Sequence, residues 1–222
     1  MITRGCVCID GQKIAKAGTL VDSGCAIEIN DPAQNYVSRA ALKLIAGLDE
    51  AGIEVSGANA VDLGASTGGF TQVLLERGAK SVLAIDVGHG QLVADIASDP
   101  RVINLEGINA RDLRQDILSP PPDLIVSDLS FISLTLAAEP ALRLSSNDAQ
   151  CVLLVKPQFE VGREGLGKGG VVTDGDLVER TMVRIQAWFN GLPGWQITNF
   201  LPSPIKGGDG NREYLLCGSR HA

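Results

Sequence analysis

The chain has 222 residues, a net charge of −7 and 45% hydrophobic residues, enough apolar sequence for a packed domain of ordinary size. No apolar run reaches the roughly 18 residues of a transmembrane helix, and the first residues lack a secretory signal pattern, so we expect a cytoplasmic protein without a membrane partner. The charge argues against a protein covered in basic residues for nonspecific nucleic-acid binding. Residues 57–150 carry six basic and twelve acidic residues, whereas residues 151–222 carry eight and seven. Any contact with a polyanion is therefore expected nearer the C-terminus.

The cysteine pattern predicts reduced thiols and no metal site. The chain has five cysteines, an odd number, and no Cys-x-x-Cys pair, as is common in proteins of reducing compartments. Cys6, Cys8 and Cys25 lie close together in sequence, but their neighbours are apolar and no histidine is near. Ordinary strand packing explains these three better than metal ligation.

Apolar patterning predicts an α/β protein. Residues 6–9 and 25–29 favour short strands, and Ser38 is suited to cap a helix that runs to about Glu50. From residue 59 onwards, strands alternate with helices, which is typical of a mostly parallel, doubly wound sheet. The strands are predicted at 60–63, 82–86, 102–105, 124–128, 151–156, 195–201 and 213–217, and the helices at 69–77, 90–98, 133–144 and 176–189. The last two strands are close enough in sequence to form an antiparallel hairpin at the sheet edge.

A glycine-rich loop follows the first strand of this sheet, and an acidic residue ends the next strand. Small residues let a ligand approach the backbone, and Asp86 is placed to bind ribose hydroxyls, so the pair indicates a nucleoside-containing cofactor. The carboxylate of Asp62 would repel a pyrophosphate but suits a cationic amino-acid end, which favours S-adenosylmethionine over NAD. His89 is a weaker candidate for stacking on the adenosine. The predicted cofactor-binding residues are Asp62, Gly64, Ala65, Ser66, Thr67, Gly68, Gly69, Phe70, Asp86, Val87, Asn109 and Asp128.

Four charged residues stand in apolar surroundings. Asp128 and Lys156 end neighbouring predicted strands, and a lysine at a buried strand end needs a carboxylate partner. Lys43 lies on the first predicted helix, and Glu213 begins the last strand. A structural ion pair and a reactive site are both compatible with these positions.

Taken together, the motifs resemble the FtsJ-like RNA 2′-O-ribose methyltransferase family. The segments that carry the resemblance are residues 38–44, 62–70, 127–128, 156–159 and 211–214, and the runs 126–134 and 156–170 resemble its TlyA, or hemolysin A, branch. The resemblance covers about residues 36–218. It implies a Rossmann-like, S-adenosylmethionine-dependent methyltransferase that acts on structured RNA, with ribosomal RNA or ribosomal subunits the expected substrate. It also implies a catalytic tetrad of Lys43, Asp128, Lys156 and Glu213.

These roles agree with the chemistry of the residues. A ribose hydroxyl becomes a better nucleophile when a positive group stabilises the developing alkoxide, and we expect Asp128 and Glu213 to hold Lys156 for this purpose. Lys156 acting as a general base is the alternative. Lys43 would neutralise the extra carboxylate and orient the ribose. The residues predicted to contact RNA are Arg39, Arg163, Lys168, Lys206 and Arg212. Competing interpretations are a membrane-active hemolysin, a catalytically silent assembly factor that binds the cofactor and, more distantly, an NAD oxidoreductase.

The N-terminal region predicts a small separate module. We divide the chain into residues 1–31, which resemble only the strand part of an RNA-binding module, a linker at 32–36 and a methyltransferase domain at 37–220. Residues 1–35 carry three basic side chains (Arg4, Lys13 and Lys16) against four acidic ones. We therefore expect this chain to bind cofactor normally and free RNA weakly, with little salt dependence.

Overall fold

The computed structural model describes residues 1–2 and 5–221, so Arg4, one of the three basic residues of the N-terminal region, lies outside the described residues. The strands are β1 (Val7–Ile9), β2 (Gln12–Lys13), β3 (Ile27–Ile29), β4 (Asn59–Leu63), β5 (Ser81–Asp86), β6 (Val102–Glu106), β7 (Leu124–Ser127), β8 (Gln150–Val155), β9 (Trp195–Pro202) and β10 (Tyr214–Arg220). The helices are α1 (Ala41–Ala51), α2 (Gly69–Glu76), α3 (Ala94–Ala97), α4 (Leu134–Ala137), α5 (Glu139–Leu144), α6 (Pro157–Glu160) and α7 (Gly175–Asn190).

A seven-stranded sheet organises the chain from β4 onwards. Its strand order is β6-β5-β4-β7-β8-β10-β9. The first five strands are parallel, and β10 runs antiparallel between β8 and β9. This arrangement confirms the predicted Rossmann-like α/β fold with an antiparallel hairpin at its edge. The chain reverses the direction of strand addition between β4 and β7, and in such sheets ligands bind beyond the carboxyl ends of the strands at that point.

Two apolar layers cover the sheet, one on each face. On one face, α1 and α2 pack residues such as Leu44 and Phe70 against Val126 of β7. On the other face, Phe189 of α7 packs with Ile125 of β7 and with residues of α4 and α5. Successive residues of a strand point to opposite faces, so central strands that are covered on both sides are apolar throughout. This explains why the sequence located them so well.

The helices differ more from the prediction than the strands do. The first helix begins at Ala41, and Ser38 does not cap it, since residue 40 holds the N-cap position without a side-chain hydrogen bond. The helix predicted at 90–98 is reduced to α3, and the one at 133–144 is two helices, α4 and α5, with Ala138 between them. By contrast, α7 matches the prediction, and the Asp174 carboxylate caps it by accepting from the Leu177 N–H.

The N-terminal residues form a separate three-stranded antiparallel sheet in the order β2-β1-β3. Two of its strands were predicted, and the third, β2, consists of two exposed residues. Ala33, within the segment predicted to be a linker, is buried. Asp31, which directly precedes that segment, is buried as well. The division into residues 1–31, 32–36 and 37–220 stays a prediction.

Candidate active site

Two adjoining cavities lie at the carboxyl ends of the parallel strands. The larger has a volume of about 620 Å³ and is lined by residues that follow β4, β5, β6 and β7. The smaller, of about 300 Å³, lies between the start of α1, the glycine-rich loop and the ends of β7 and β8. Gly64, Ser66, Asp128 and Ser130 line both cavities. The two spaces therefore share a wall, and a group bound in one can reach a group bound in the other.

Two positions of the glycine-rich loop require glycine, and at the first of them the loop comes close to the end of the neighbouring strand. Gly64 has φ +84°, and a Cβ there would lie 3.0 Å from the backbone oxygen of Asp128. Gly68, with φ +101°, is the N-cap residue of α2. L-residues rarely adopt such angles. Of the loop residues predicted to bind cofactor, the smaller cavity contacts Gly64, Ala65, Ser66, Thr67, Gly69 and Phe70, and neither cavity contacts Gly68.

Asp86 lies on the wall of the larger cavity, at the end of β5. Its Oδ2 accepts a hydrogen bond of 2.8 Å from the Ser66 N–H, and its Oδ1 accepts one of 2.7 Å from the Gly88 N–H. Each carboxylate oxygen can accept more than one hydrogen bond, so the carboxylate is held in place and can still accept from a ligand. Val87 and Asn109 line the same cavity, and the Asn109 Oδ1 accepts from the Arg111 N–H. His89 does not line it and lies against Gly107.

Asp62 is not on either cavity wall. Its side chain is completely buried, and its Oδ2 accepts a hydrogen bond of 2.7 Å from the Thr71 hydroxyl. Burial raises the pKa of this carboxyl to about 7, the Thr71 hydrogen bond opposes the rise, and the nearby charge of Asp128 adds to it. Oδ1 has no hydrogen-bond partner among the described residues. Asp62 therefore lies behind the loop and does not present its carboxylate to either cavity.

The four residues predicted as a catalytic tetrad meet at the smaller cavity. Lys156 Nζ lies 2.6 Å from Asp128 Oδ1, and Lys43 Nζ lies 2.6 Å from Glu213 Oε2. Lys43 also lies 3.8 Å from the second oxygen of Asp128, which links the two pairs. The prediction that Glu213 holds Lys156 is wrong, because the Glu213 carboxylate pairs with the lysine of α1. The side chains are at most 15% exposed, so each ion pair is largely shielded from solvent.

Comparisons with known proteins show the family of this chain. The FtsJ-like methyltransferase family matches residues 36–220. The chain belongs to this family. It is 44% identical to the 16S/23S rRNA (cytidine-2′-O)-methyltransferase TlyA of Mycobacterium tuberculosis, over 97% of this chain and 81% of that protein. It is 41% identical to Hemolysin A of Brachyspira hyodysenteriae, over 97% and 89%. A solved structure from Streptococcus thermophilus that carries the hemolysin name has a TM-score of 0.82 at 36% identity, covering 99% of this chain and 80% of that one.

Two residues of this FtsJ-like methyltransferase were missed by the sequence analysis, although they directly follow Asp128 and Leu129. Ser130 Oγ accepts a hydrogen bond of 2.8 Å from Lys156 Nζ. Phe131 lines the larger cavity, is 91% exposed, and has a positive φ of 64°, which is unusual for a bulky residue. Its ring lies 5.2 Å from that of Phe159, which follows Lys156 by three positions. Their only sequence signal was their position just after a strand end.

The residues predicted to contact RNA are all exposed, and none forms an ion pair with another residue of the described part of the methyltransferase. Lys206 and Arg212 line a third cavity of about 510 Å³, together with Pro157 and Tyr214. These two neighbours follow Lys156 and Glu213 in sequence, so this cavity adjoins the tetrad. Arg163 and Lys168 lie in 3-10 turns after α6, and Arg39 precedes α1. Of these five residues, Lys206 and Arg212 are the two that line a cavity beside the tetrad.

In residues 1–2 and 5–221, no helix of this methyltransferase combines the length and apolar character of a membrane span. Within these ranges there is also no group of three or more histidine, cysteine or acidic side chains arranged to hold a metal ion.

Proposed function

We propose that this methyltransferase transfers a methyl group from S-adenosylmethionine to the 2′-hydroxyl of a ribose in structured RNA, with ribosomal RNA as the substrate. The observation that carries the proposal is the Lys156–Asp128 ion pair at the wall shared by two cavities. A buried lysine in the smaller cavity, paired with an aspartate that also lines the cofactor-sized cavity, suits activation of a hydroxyl beside a methyl donor. The name of the Mycobacterium tuberculosis relative, which specifies cytidine-2′-O-methylation of 16S and 23S rRNA, supports the substrate.

The larger cavity fits the proposed cofactor. Its volume of about 620 Å³ lies within the range of small-molecule sites, and the Asp86 carboxylate retains acceptor capacity for the ribose hydroxyls. Val87 and Asn109 would contact the adenine, and Gly64 lines the same cavity. When bound, S-adenosylmethionine supplies a methyl group on a sulfonium, so that an oxygen nucleophile can bond to the methyl carbon while the carbon–sulfur bond breaks and its electron pair returns to sulfur.

The chain's own residues then act on the ribose hydroxyl. Lys156 Nζ would donate a hydrogen bond to the hydroxyl oxygen and stabilise the negative charge that develops on it. In this version of the step, the hydroxyl proton passes to solvent as the bond between the oxygen and the methyl carbon forms. Asp128 holds this amine in place, and the Lys43–Glu213 pair forms the adjoining wall where the ribose is oriented. The alternative is that Lys156, in its neutral form, accepts the hydroxyl proton. The exposed cations Arg39, Arg163, Lys168, Lys206 and Arg212 would bind phosphates on either side of the target nucleotide.

The direct test is methyl transfer from labelled S-adenosylmethionine to naked ribosomal RNA, isolated ribosomal subunits and assembled ribosomes, followed by mapping of the modified nucleotide. We expect label on a ribose 2′-oxygen of one of these substrates. Label on a base or on protein would contradict the proposal. Binding of cofactor and subunits without any transfer would instead indicate a catalytically silent assembly factor.

Replacing Lys156 by alanine tests the assigned chemistry. We expect K156A to abolish methyl transfer while the Kd for S-adenosylmethionine stays near that of the wild type, because Lys156 faces the smaller cavity and not the larger one. Lys80→Ala is the control, since Lys80 is exposed and directly precedes β5. It therefore lies at the amino end of that strand, whereas the cavities lie at the carboxyl ends. Substantial turnover by K156A would overturn the catalytic assignment.

A further inference from the structure

The hydrogen bonding of Lys156 gives Ser130 a role that the tetrad does not include. Asp128 Oδ1 lies 2.6 Å from Nζ, yet this oxygen has no partner with hydrogen-bond geometry among the described residues. Their contact is therefore a close ion pair that lacks good alignment. Ser130 Oγ, at 2.8 Å, accepts the aligned hydrogen bond from the same Nζ. The direction in which the amine points is thus fixed by the serine, and the carboxylate supplies the countercharge.

The position of Ser130 strengthens this interpretation. It lines both the larger and the smaller cavity, whereas Lys156 lines only the smaller one. The side chain is thus located at the junction that a transferred methyl group has to cross. A tetrahedral ammonium carries three hydrogens. With one donated to Ser130 and one side of the group facing Asp128, the remaining direction is available for the ribose hydroxyl.

The other neighbours of Lys156 do not fix the direction of its amine. Glu213 is engaged by Lys43 Nζ at 2.6 Å, and no contact of 4.0 Å or less joins Glu213 to Lys156 among the described residues. Phe159 lies below the same amine, with Nζ 5.8 Å from the ring centroid, but a ring face does not select one N–H direction. Ser130 is the polar group that does.

We propose that Ser130 is a positioning residue of this enzyme, which orients Lys156 Nζ toward the substrate hydroxyl across the junction of the two cavities. The proposal rests on the proposed function, since it concerns the same methyl transfer. Ser130 itself need not touch the ribose or the methyl donor. Its contribution is the alignment of the amine, and misalignment of a reacting group costs rate even when binding is intact.

The test compares Ser130→Ala, Ser130→Thr and Ser127→Ala in single-turnover methyl transfer to the RNA substrate that the wild type modifies. Losing one hydrogen bond to a charged group corresponds to a roughly 10- to 100-fold change, so we expect S130A to slow the chemical step by that factor. The KM for RNA and the Kd for S-adenosylmethionine should stay within about twofold of wild type. S130T keeps the hydroxyl and should recover most of the rate.

Ser127→Ala is the matched control. Ser127 ends β7 three residues earlier, and its hydroxyl is fully buried without a hydrogen-bond partner among the described residues. Removal of such a hydroxyl leaves no group unsatisfied, so S127A should retain the wild-type rate. The control therefore shows whether the loss of rate in S130A comes from the missing hydrogen bond to Lys156 or from removing any hydroxyl of this segment.

The split between the chemical step and binding distinguishes alignment of the amine from support of the fold. A purely structural defect would change the KM for RNA or the Kd for S-adenosylmethionine together with the rate, and S130T would not recover it, whereas misalignment slows the chemical step alone. S130A with the wild-type single-turnover rate would overturn the role of Ser130. If the wild type itself modifies no RNA, the proposed function fails and not the alignment argument alone.

Discussion

At the scale of single residues, two acidic side chains near the glycine-rich loop differ in burial: one lies at a cavity wall and the other in the core. Asp86 is half-buried, and backbone N–H groups hold its carboxylate at the cavity wall. Asp62 lies within β4 in the core, where burial raises its pKa to about 7. Sequence reasoning placed both carboxylates at strand ends and assigned both to the cofactor. It could not separate them, because local sequence does not show that the Asp62 side chain is covered completely by the packed core.

Asp86→Ala tests the cofactor assignment. The variant lacks the carboxylate oxygens that would accept from the ribose, so we expect S-adenosylmethionine binding to weaken by about 1–3 kcal/mol, the range for a hydrogen bond to a charged group and the cost of an unpaired partner. Isothermal titration calorimetry measures the Kd directly. Asp148→Ala serves as the control, since Asp148 is exposed and precedes β8. An unchanged Kd for a folded D86A protein would contradict the assignment of Asp86 to the cofactor ribose.

Asp62→Asn tests the effect of burying an acid. Because the folded-state pKa is raised above that of the unfolded chain, the stability that the neutral carboxyl contributes is fully present below about pH 4 and is lost as pH rises to about 7. The wild type should therefore lose stability relative to D62N across this window, by up to about 4 kcal/mol at 1.36 kcal/mol per pKa unit. Urea unfolding of both proteins at pH 4, 5.5 and 7.5 measures it. A stability difference that does not vary with pH would show that Asp62 titrates normally.

At the scale of elements, strands were predictable and short helices were not. The central strands are short apolar runs, because they are buried on both faces, and such runs predict strands. Their predicted bounds agree with the structure to within one residue. The segment 90–98 has the composition of a helix, but the Glu106 carboxylate accepts from the N–H groups of Gly90 and Gln91 and holds the chain in a loop. Such a contact comes from a different strand, so local sequence does not reveal it.

The tetrad shows the same limit. All four residues were found from sequence, but their pairing depends on where α1 lies over the sheet. That position is set by Gly47, where a Cβ would come 2.5 Å from Cγ1 of Val152 in β8. The helix therefore packs closely on the strand, and Lys43, one turn earlier, reaches Glu213.

Gly47→Ala tests this packing. Alanine favours helix by about 1 kcal/mol, but the β-branched Val152 is stiff and fully buried, so we expect a net loss of stability of about 1–3 kcal/mol. The displaced helix should also slow methyl transfer without changing the Kd for cofactor. Gly18→Ala is the control, since nothing lies within 4 Å of a Cβ there. Full stability and activity of G47A would show that α1 can shift without consequence.

At the scale of the whole molecule, charge is divided between two regions. The acidic excess lies within residues 57–150, where β4 to β7 lie, and the cations predicted to contact RNA occupy the loops of residues 163–212, apart from Arg39. A polyanion would thus be repelled by one part of this acidic protein and attracted to the loops beside the tetrad. Binding that rests on so few cations is expected to be weak and to depend on each of them.

The double variant Lys206→Glu with Arg212→Glu tests the predicted RNA contacts. We expect RNA affinity to fall, and the slope of log Kd against log salt to decrease by about one for each phosphate that the variant no longer neutralises. Cofactor affinity should stay unchanged, because neither residue lines the larger cavity. Lys80→Glu paired with Arg77→Glu gives the same charge change elsewhere. An equal fall in RNA affinity in both double variants would indicate a long-range charge effect and no local contact.

The shared wall of the two cavities also bears on how inhibitors of this enzyme could be built. A compound that joins an adenosine analogue to a nucleoside would fill both spaces as one continuous ligand, and its second half would bind at a high effective concentration. The adenosine half would occupy a cavity of the kind that many Rossmann-like proteins possess. Selectivity would come from the half that passes Ser130 and meets Lys43 and Lys156, because that chemistry is specific to the smaller cavity.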